Sequence, residues 1–349
     1  MKVKHYHIIL LLIFLLFKLS SVHAEKRRLS QSGATYLAIS MCARESAMGD
    51  AATATSQGIN GVWHNPSILA DIDGLAISLN HVQWLVDTKL SGVAITYTVK
   101  NWGTFGIDLT YMDYGEVMGT KPVDRSIDPR GYILTGDLGI KDYAIGFSYA
   151  RRISNKFSFG FKIKRLHENL GKASFVIDEY QNPDTKEWIR TREEKEWKLN
   201  DWGLDFGTVY DVGWKGLTVA MVMQNLSRDL KYFYEEFQLP LTLKMGIAID
   251  LYQLLYPTEK DITWRIAVDA IRPIDYSERI HIGSEFLMKD VVALRAGYKF
   301  NHDVESLTLG IGVNFELGGI PFTIDYAYTK AAYFKDVNRF SINLNFPNI

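Results

Sequence analysis

Between residues 74 and 346 the chain repeats one pattern: in stretch after stretch, alternate positions are apolar, and the apolar row carries no charge. Phe105, Ile107, Leu109 and Tyr111 fall on one side, Asp108 and Thr110 on the other. Phe157, Phe159, Phe161 and Ile163 oppose Ser158, Gly160, Lys162 and Lys164. Leu307, Leu309, Ile311, Val313 and Phe315 oppose Thr308, Gly310, Gly312 and Asn314, and the last stretch sets Phe340, Ile342, Leu344 and Phe346 against Ser341, Asn343 and Asn345. A period of two puts successive side chains on opposite faces of a strand, so each stretch is a strand with one wholly apolar face. Fourteen strands are expected, at 74–82, 90–100, 102–114, 142–152, 157–165, 202–210, 217–224, 241–250, 262–270, 278–286, 291–299, 307–315, 321–328 and 339–346.

Soluble sandwiches alternate too, because one face of each sheet meets a core, and a secreted β-sandwich binding module stays open as an alternative. Three features favour a membrane barrel. The opposite rows are rich in Gly, Ser, Thr and Asn, as a crowded lumen requires. Tyr97, Tyr111, Tyr149, Tyr210, Tyr298, Tyr326 and Tyr328 recur near the ends of the apolar rows, where interfacial girdles lie. The connections alternate as well. Asn101, 154–156, 287–290 and 317–320 are tight, while 115–141, 166–201, 225–240 and 329–338 are long. Only 83–89 and 251–261 break this rhythm. Closure is what lets strands sit in lipid without unpaired backbone edges, so the fold class expected is an all-β transmembrane antiparallel β-barrel of about fourteen strands. An even count puts both termini on the short-turn, periplasmic side.

Residues 1–24 read as a signal peptide: Lys2 and Lys4, an apolar stretch from Ile8 to Phe17, then Val22-His23-Ala24. That stretch is too short to cross a bilayer as a helix. Cleavage near Ala24 removes Lys2, Lys4 and Lys18 and leaves 36 basic against 40 acidic residues. The near-balanced charge excludes a nucleic-acid partner. The single cysteine, Cys42, excludes a disulfide scaffold or a CxxC site and is read as a buried small side chain.

Residues 43–69, ARESAMGDAATATSQGINGVWHNPSIL, form a small-residue stretch ending in Trp63-His64-Asn65-Pro66-Ser67. The stretch resembles the N-terminal hatch of FadL-like outer-membrane proteins, and the branch most similar is the PorV/PorQ family. Supporting segments run through most of the mature chain: 142–166 (DYAIGFSYARRISNKFSFGFKIKRL), 203–213 (GLDFGTVYDVG), 222–227 (VMQNLS), 294–300 (LRAGYKF), 309–315 (LGIGVNF) and 338–346 (NRFSINLNF). The resemblance implies a fourteen-stranded barrel in the cell outer membrane of a diderm bacterium, with residues 25–73 as an N-terminal periplasmic or plug segment and 74–346 as the barrel. For function it implies a non-enzymatic component or cargo-binding partner of type IX protein secretion. The competing reading is FadL-like transport of hydrophobic small molecules, motivated by the hatch and by Tyr232, Phe233, Tyr234 and Phe237 near the loops. Implied partners are outer-membrane lipid, secreted cargo or secretion-system components, and the barrel-assembly machinery through the C-terminal strand ending at Phe346. Two departures stand out: the insert at 171–201 is long, and Pro347-Asn348-Ile349 follow the terminal aromatic residue.

The chemistry-bearing motifs are few. His167-Glu168 lacks a second histidine at helical spacing, and no G-x-S-x-G elbow or P-loop is present, so neither an enzyme nor a cofactor or metal site is expected. Trp63, Asn65, Pro66 and Ser67 are assigned a structural role in bending the plug, since proline pushes the residue before it to an extended backbone. Asp108, Lys162, Lys164, Asp205, Lys244, Arg265, Asp269, Arg295 and Asp325, with Arg279 and Glu285, are expected on the lumen face. Charges there must be paired or wet. They form either a structural network to the plug, through residues such as Arg44, Glu45 and Asp50, or a polar path beside it. The insert 171–201 turns at Asn182-Pro183-Asp184-Thr185 and reads as an extracellular hairpin. Its Trp188, Arg190, Arg192 and Trp197 are either a solvated face or an outer docking edge.

Overall fold

The computed structural model describes residues 32–186, 188–232, 236–256 and 261–347. The leader at 1–24, residues 25–31, Phe233, Tyr234 and the terminal Asn348-Ile349 lie outside the described residues. Fourteen strands close into one antiparallel barrel: β1 (Leu75–Gln83), β2 (Lys89–Val99), β3 (Gly103–Asp113), β4 (Lys141–Ser154), β5 (Phe157–Gln181), β6 (Trp188–Asp211), β7 (Thr218–Leu226), β8 (Thr242–Asp250), β9 (Ile262–Pro273), β10 (Arg279–Met288), β11 (Val292–Phe300), β12 (Glu305–Leu317), β13 (Ile320–Ala331) and β14 (Val337–Phe346). Each pairs with its neighbours in sequence, and β1 closes on β14 with Leu75 opposite Phe346. Every backbone edge of the wall is thereby satisfied, which is the condition for strands in hydrocarbon.

The alternation sorts the side chains. Ile107, Ile145, Ile247 and Ile311 face outward and are exposed, whereas Ala94, Ala144, Ala220, Ala248, Ala267 and Ala327 face inward and are buried. Aromatic residues gather at the two rims of the outer face. At the short-turn rim Tyr149 meets Phe105 at 5.1 Å and Phe161 at 5.6 Å, and Phe315 stacks on Phe322 at 5.4 Å. Towards the long-loop rim Tyr298 packs on Phe300 at 4.6 Å and Tyr326 on Phe340 at 5.1 Å. Two aromatic bands flanking an aliphatic belt form the outer surface of a transmembrane barrel.

The two irregular connections have local explanations. Residues 84–88 are a tight turn in which Val86 and Asp87 take positive φ, and 251–261 begins with a short helix, Leu251–Leu255, capped by the Asp250 side chain. The insert is no separate unit. β5 and β6 continue out of the wall as a paired ribbon, reaching 25 and 24 residues, with register shifts between Asn169 and Lys172 and between Val176 and Asp178. At about 3.3 Å per residue the part beyond Asn169 projects roughly 40 Å. Two of the other long loops carry ribbons of their own, Met118–Pro122 with Tyr132–Asp137 and Leu230–Lys231 with Glu236–Phe237.

Residues 32–74 run inside the barrel as a plug. The segment starts at the long-loop rim, where Ser32 bridges Gln238, and descends to β1 at the short-turn rim. Its two short helical turns, Ala43–Ala47 and Gly61–His64, are buried apart from the partly exposed Trp63. Glycines on the wall make room for this backbone. At Gly297 an added Cβ would collide with the backbone nitrogen of Gly49, and at Gly160 with the backbone of Pro66 and Ser67.

Candidate functional site

The lumen divides into three levels. At the long-loop end the segment Gly33–Cys42 forms a strap that presses apolar side chains into the wall. Tyr36, Met41 and Cys42 are buried against Leu90, Met112, Leu166 and Leu239, and Leu37, Ile39, Trp84, Tyr232 and Phe237 pack around them. Tyr232 stacks on Phe237 at 5.2 Å and donates a hydrogen bond to Glu168, while Tyr114 donates to Asp142 at 2.6 Å. The strap itself fills this apolar chamber. A small cavity of about 40 Å³ lies beneath it, between Tyr36, Leu37, Met41 and Trp63 above and Asp108, Lys162, Lys164 and Asp205 below.

The middle level is ionic. Lys162 Nζ donates to Asp108 at 2.8 Å and to the Val62 carbonyl of the plug at 2.9 Å. Lys164 donates to Asp205 at 2.8 Å and to Asn225 at 2.5 Å. Across the lumen, Glu285 accepts from Arg44 of the plug at 2.7 Å, from Arg295 at 2.7 Å and from Arg265 at 3.2 Å, and Arg295 also donates to Asp325 at 2.6 Å. Lys299 joins Asp50 of the plug to Glu305 on β12, and Glu305 accepts from Arg339 at 2.8 Å. Asp269 accepts from the Thr53 backbone N–H at 2.8 Å and its hydroxyl at 2.6 Å. Lys244 is half-buried on β8 outside these ion pairs. Buried charges at membrane depth persist only when paired in this way, and the links to Arg44, Asp50, Thr53 and Val62 bind plug to wall.

Below the network a cavity of about 500 Å³ with a mixed polar and apolar lining opens toward the short-turn end, between plug residues Gln57–Asn60, Asp71 and Ile72 and strands β10–β14. Arg44, Glu285, Arg295 and Asp325 form part of its lining. Along the barrel axis, an apolar chamber is therefore followed by an ionic partition and a vestibule of mixed lining.

The plug-bending motif is held by its own side chains. Asn65 is extended at φ −152°, accepts from the Ser67 N–H at 3.1 Å and its hydroxyl at 2.6 Å, and donates to the Thr53 carbonyl at 2.9 Å. Trp63 donates to Thr110 at 3.1 Å, and its carbonyl accepts from Gln224 at 2.8 Å. Of the outer-ribbon residues, Trp188, Arg190 and Arg192 are exposed and Arg190 pairs with Glu179 at 2.8 Å. Trp197 differs: it turns inward, edge-on to Tyr232 at 6.2 Å, because it stands where the ribbon meets the mouth. His167 and Glu168 do not act together, since neighbouring positions on β5 face opposite ways. His167 stacks on Tyr143 at 4.9 Å outside, and Glu168 points into the mouth. Sequence reading missed Lys299, Glu305 and Arg339. Arg339 stands one step from Ser341 and Lys299 two steps from Arg295, so extending those rows to the strand ends would have found them, whereas Glu305 lies beyond a register shift before Thr308, where simple alternation points to Ser306 instead.

The fold and lumen define a class: a fourteen-stranded transmembrane barrel closed by its own N-terminal segment. No family model and no curated protein matches the sequence. Among solved structures, the chain is similar to a Pseudomonas aeruginosa FadL homologue, with a TM-score of 0.55 and 10% identity over 88% of this chain and 99% of that one. It is also similar to the CymD monoaromatic hydrocarbon channel (0.53, 12%, 88% and 97%) and to the Ralstonia pickettii toluene transporter TbuX (0.53, 14%, 87% and 98%). The fold is thus that of the FadL-type outer-membrane barrels.

Proposed function

We propose that the protein resides in the outer membrane and passes hydrophobic small molecules across it, with the strap as the movable part of the gate. The observation that carries this reading is the apolar chamber at the long-loop end, which is filled by the chain's own Tyr36, Leu37, Ile39 and Met41. An apolar solute that displaced the strap would meet the apolar side chains of Leu90, Met112, Leu166 and Leu239, at the cost of strap hydrogen bonds such as that from Arg339 to the Ser40 carbonyl. The resemblance in fold to a monoaromatic hydrocarbon channel and a toluene transporter supports the same solute class. The ionic partition below bars an uninterrupted apolar path along the axis, so the solute must leave sideways or await movement of the plug. The test is permeation of a monoaromatic hydrocarbon and of a long-chain fatty acid into vesicles holding the folded protein. Deleting residues 33–40 should increase uptake of at least one severalfold over the intact chain. Equal uptake by intact, strap-deleted and protein-free vesicles would refute the reading.

A second reading, cargo docking in type IX secretion, draws support from the ribbon of β5 and β6. Its outer part presents exposed Trp188, Ile189 and Tyr180 among charged neighbours. Projecting ribbons with free edges are sites at which another chain adds a strand. Recovery of secreted proteins on the native barrel, lost when the ribbon is removed, would favour this reading over transport.

A further inference from the structure

Where the strap turns down into the plug, three buried side chains bring a sulfur, an oxygen and a nitrogen together. Cys42, Glu45 and His64 each offer one ligating atom, and these atoms all lie within 4.8 Å of one another. We propose that they bind a single zinc-class divalent ion inside the plug.

The local chemistry is arranged for this. Cys42 is the only cysteine of the chain, is fully buried and is unpaired. His64 is only 5% exposed, and its Nε2 has no hydrogen-bond partner among the described residues. A buried imidazole nitrogen without a partner is costly unless something else occupies its lone pair. Glu45 is oriented toward the pair by hydrogen bonds from Ser56 at 3.0 Å and Asn60 at 3.0 Å, with Arg44 at 3.4 Å on the same carboxylate. These contacts use part of the carboxylate's acceptor capacity and leave lone pairs for a cation. Such second partners are what fixes ligand geometry in metal sites.

The donor set selects the ion. One thiolate, one imidazole and one carboxylate suit zinc and exclude the oxygen-seeking magnesium and calcium. Binding would release the thiol proton to water, and the thiolate and carboxylate charges would then balance the dication. Asn60 and Arg44, both bonded to Glu45, line the 500 Å³ vestibule, so the ion has a polar approach from the short-turn end. Bound there, it would tie the Ala43–Ala47 turn, which follows the strap, to the Gly61–His64 turn and stiffen the gate.

The test uses the folded, leader-free protein in detergent, without a histidine tag, stripped by chelator and titrated with Co²⁺. Because the chain holds one cysteine, a thiolate-to-cobalt charge-transfer band reports Cys42 alone. The expected result is such a band saturating at one Co²⁺ per chain, bleached by Zn²⁺ and unaffected by Mg²⁺. Cys42→Ser should abolish the band, and His64→Gln should weaken affinity at least about tenfold, with folding checked by heat-modifiable gel mobility. Absence of the band in the folded wild-type protein with excess cobalt would overturn the proposal, as would stoichiometric zinc binding that survives in Cys42→Ser. The wild-type spectrum decides even if a variant fails to fold.

Discussion

Glu285→Gln isolates the link between plug and wall. The carboxylate accepts from Arg44 and Arg295 at 2.7 Å each, and its side chain and both guanidinium groups are 3–5% exposed, so solvent screens these pairs weakly. Glutamine keeps the shape but removes the charge and turns an amide N–H₂ toward guanidinium donors. Two charge-assisted hydrogen bonds at about 1.5–3 kcal/mol each give about 3–6 kcal/mol, and loss of one partner from a buried ion pair costs about 3–5 kcal/mol. The two routes agree on a loss of about 3–5 kcal/mol. Asp325→Asn, which weakens only the bond from Arg295, should cost about half as much. Urea unfolding in lipid vesicles, followed by tryptophan fluorescence and gel mobility, measures both. A change below about 1 kcal/mol for Glu285→Gln is what a solvated pair would give, and it would refute the view that these pairs are shielded from solvent.

Other expectations follow from the same geometry. Ile107→Lys places a charge in the aliphatic belt and should cost about 2–4 kcal/mol, whereas Ser148→Ala on the inward row, whose hydroxyl has no partner among the described residues, should be close to neutral in the same assay. Gly297→Val drives a side chain into the Gly49 backbone and should cost at least about 1–3 kcal/mol, with faster proteolysis of the plug while the barrel keeps its gel mobility. Removing residues 172–196 should leave the barrel folded, because the wall pairing of β5 and β6 resumes at Asn169 and Lys198. If that variant still captures every partner of the intact protein from native membranes, the ribbon is not a docking edge.

Much of the wall was legible in the sequence because its rule is local. A residue two positions along a strand meets the same environment, so the apolar rows announce the strands, their number and their orientation. The inward rows were legible for the same reason, which is why Asp108, Lys162, Lys164 and Asp325 fall where alternation puts them. Pairing partners were not legible. That Glu285 gathers three arginines, or that Lys299 reaches Asp50, depends on the path of an irregular plug with no period. The ribbon showed the same limit: its charged alternation reads as a solvated hairpin, but nothing local reveals that β5 and β6 run on into it. The division of the lumen into apolar chamber, partition and vestibule was hidden as well, because it arises where distant inward rows meet the strap. Cys42, Glu45 and His64 obey no spacing rule, and only the fold brings them together.

The central claim is that the uncharged rows face acyl chains while the polar rows face an enclosed lumen. Nitroxide labels at Ile107, Phe161 and Ile311 in the folded, vesicle-embedded protein test it directly. Relaxation by oxygen, which partitions into lipid, should exceed relaxation by a water-soluble nickel complex at all three positions, and the order should reverse for a label at exposed Arg192 on the ribbon. Nickel dominating at Ile107, Phe161 and Ile311 would contradict the account, and the transmembrane barrel would fall with it.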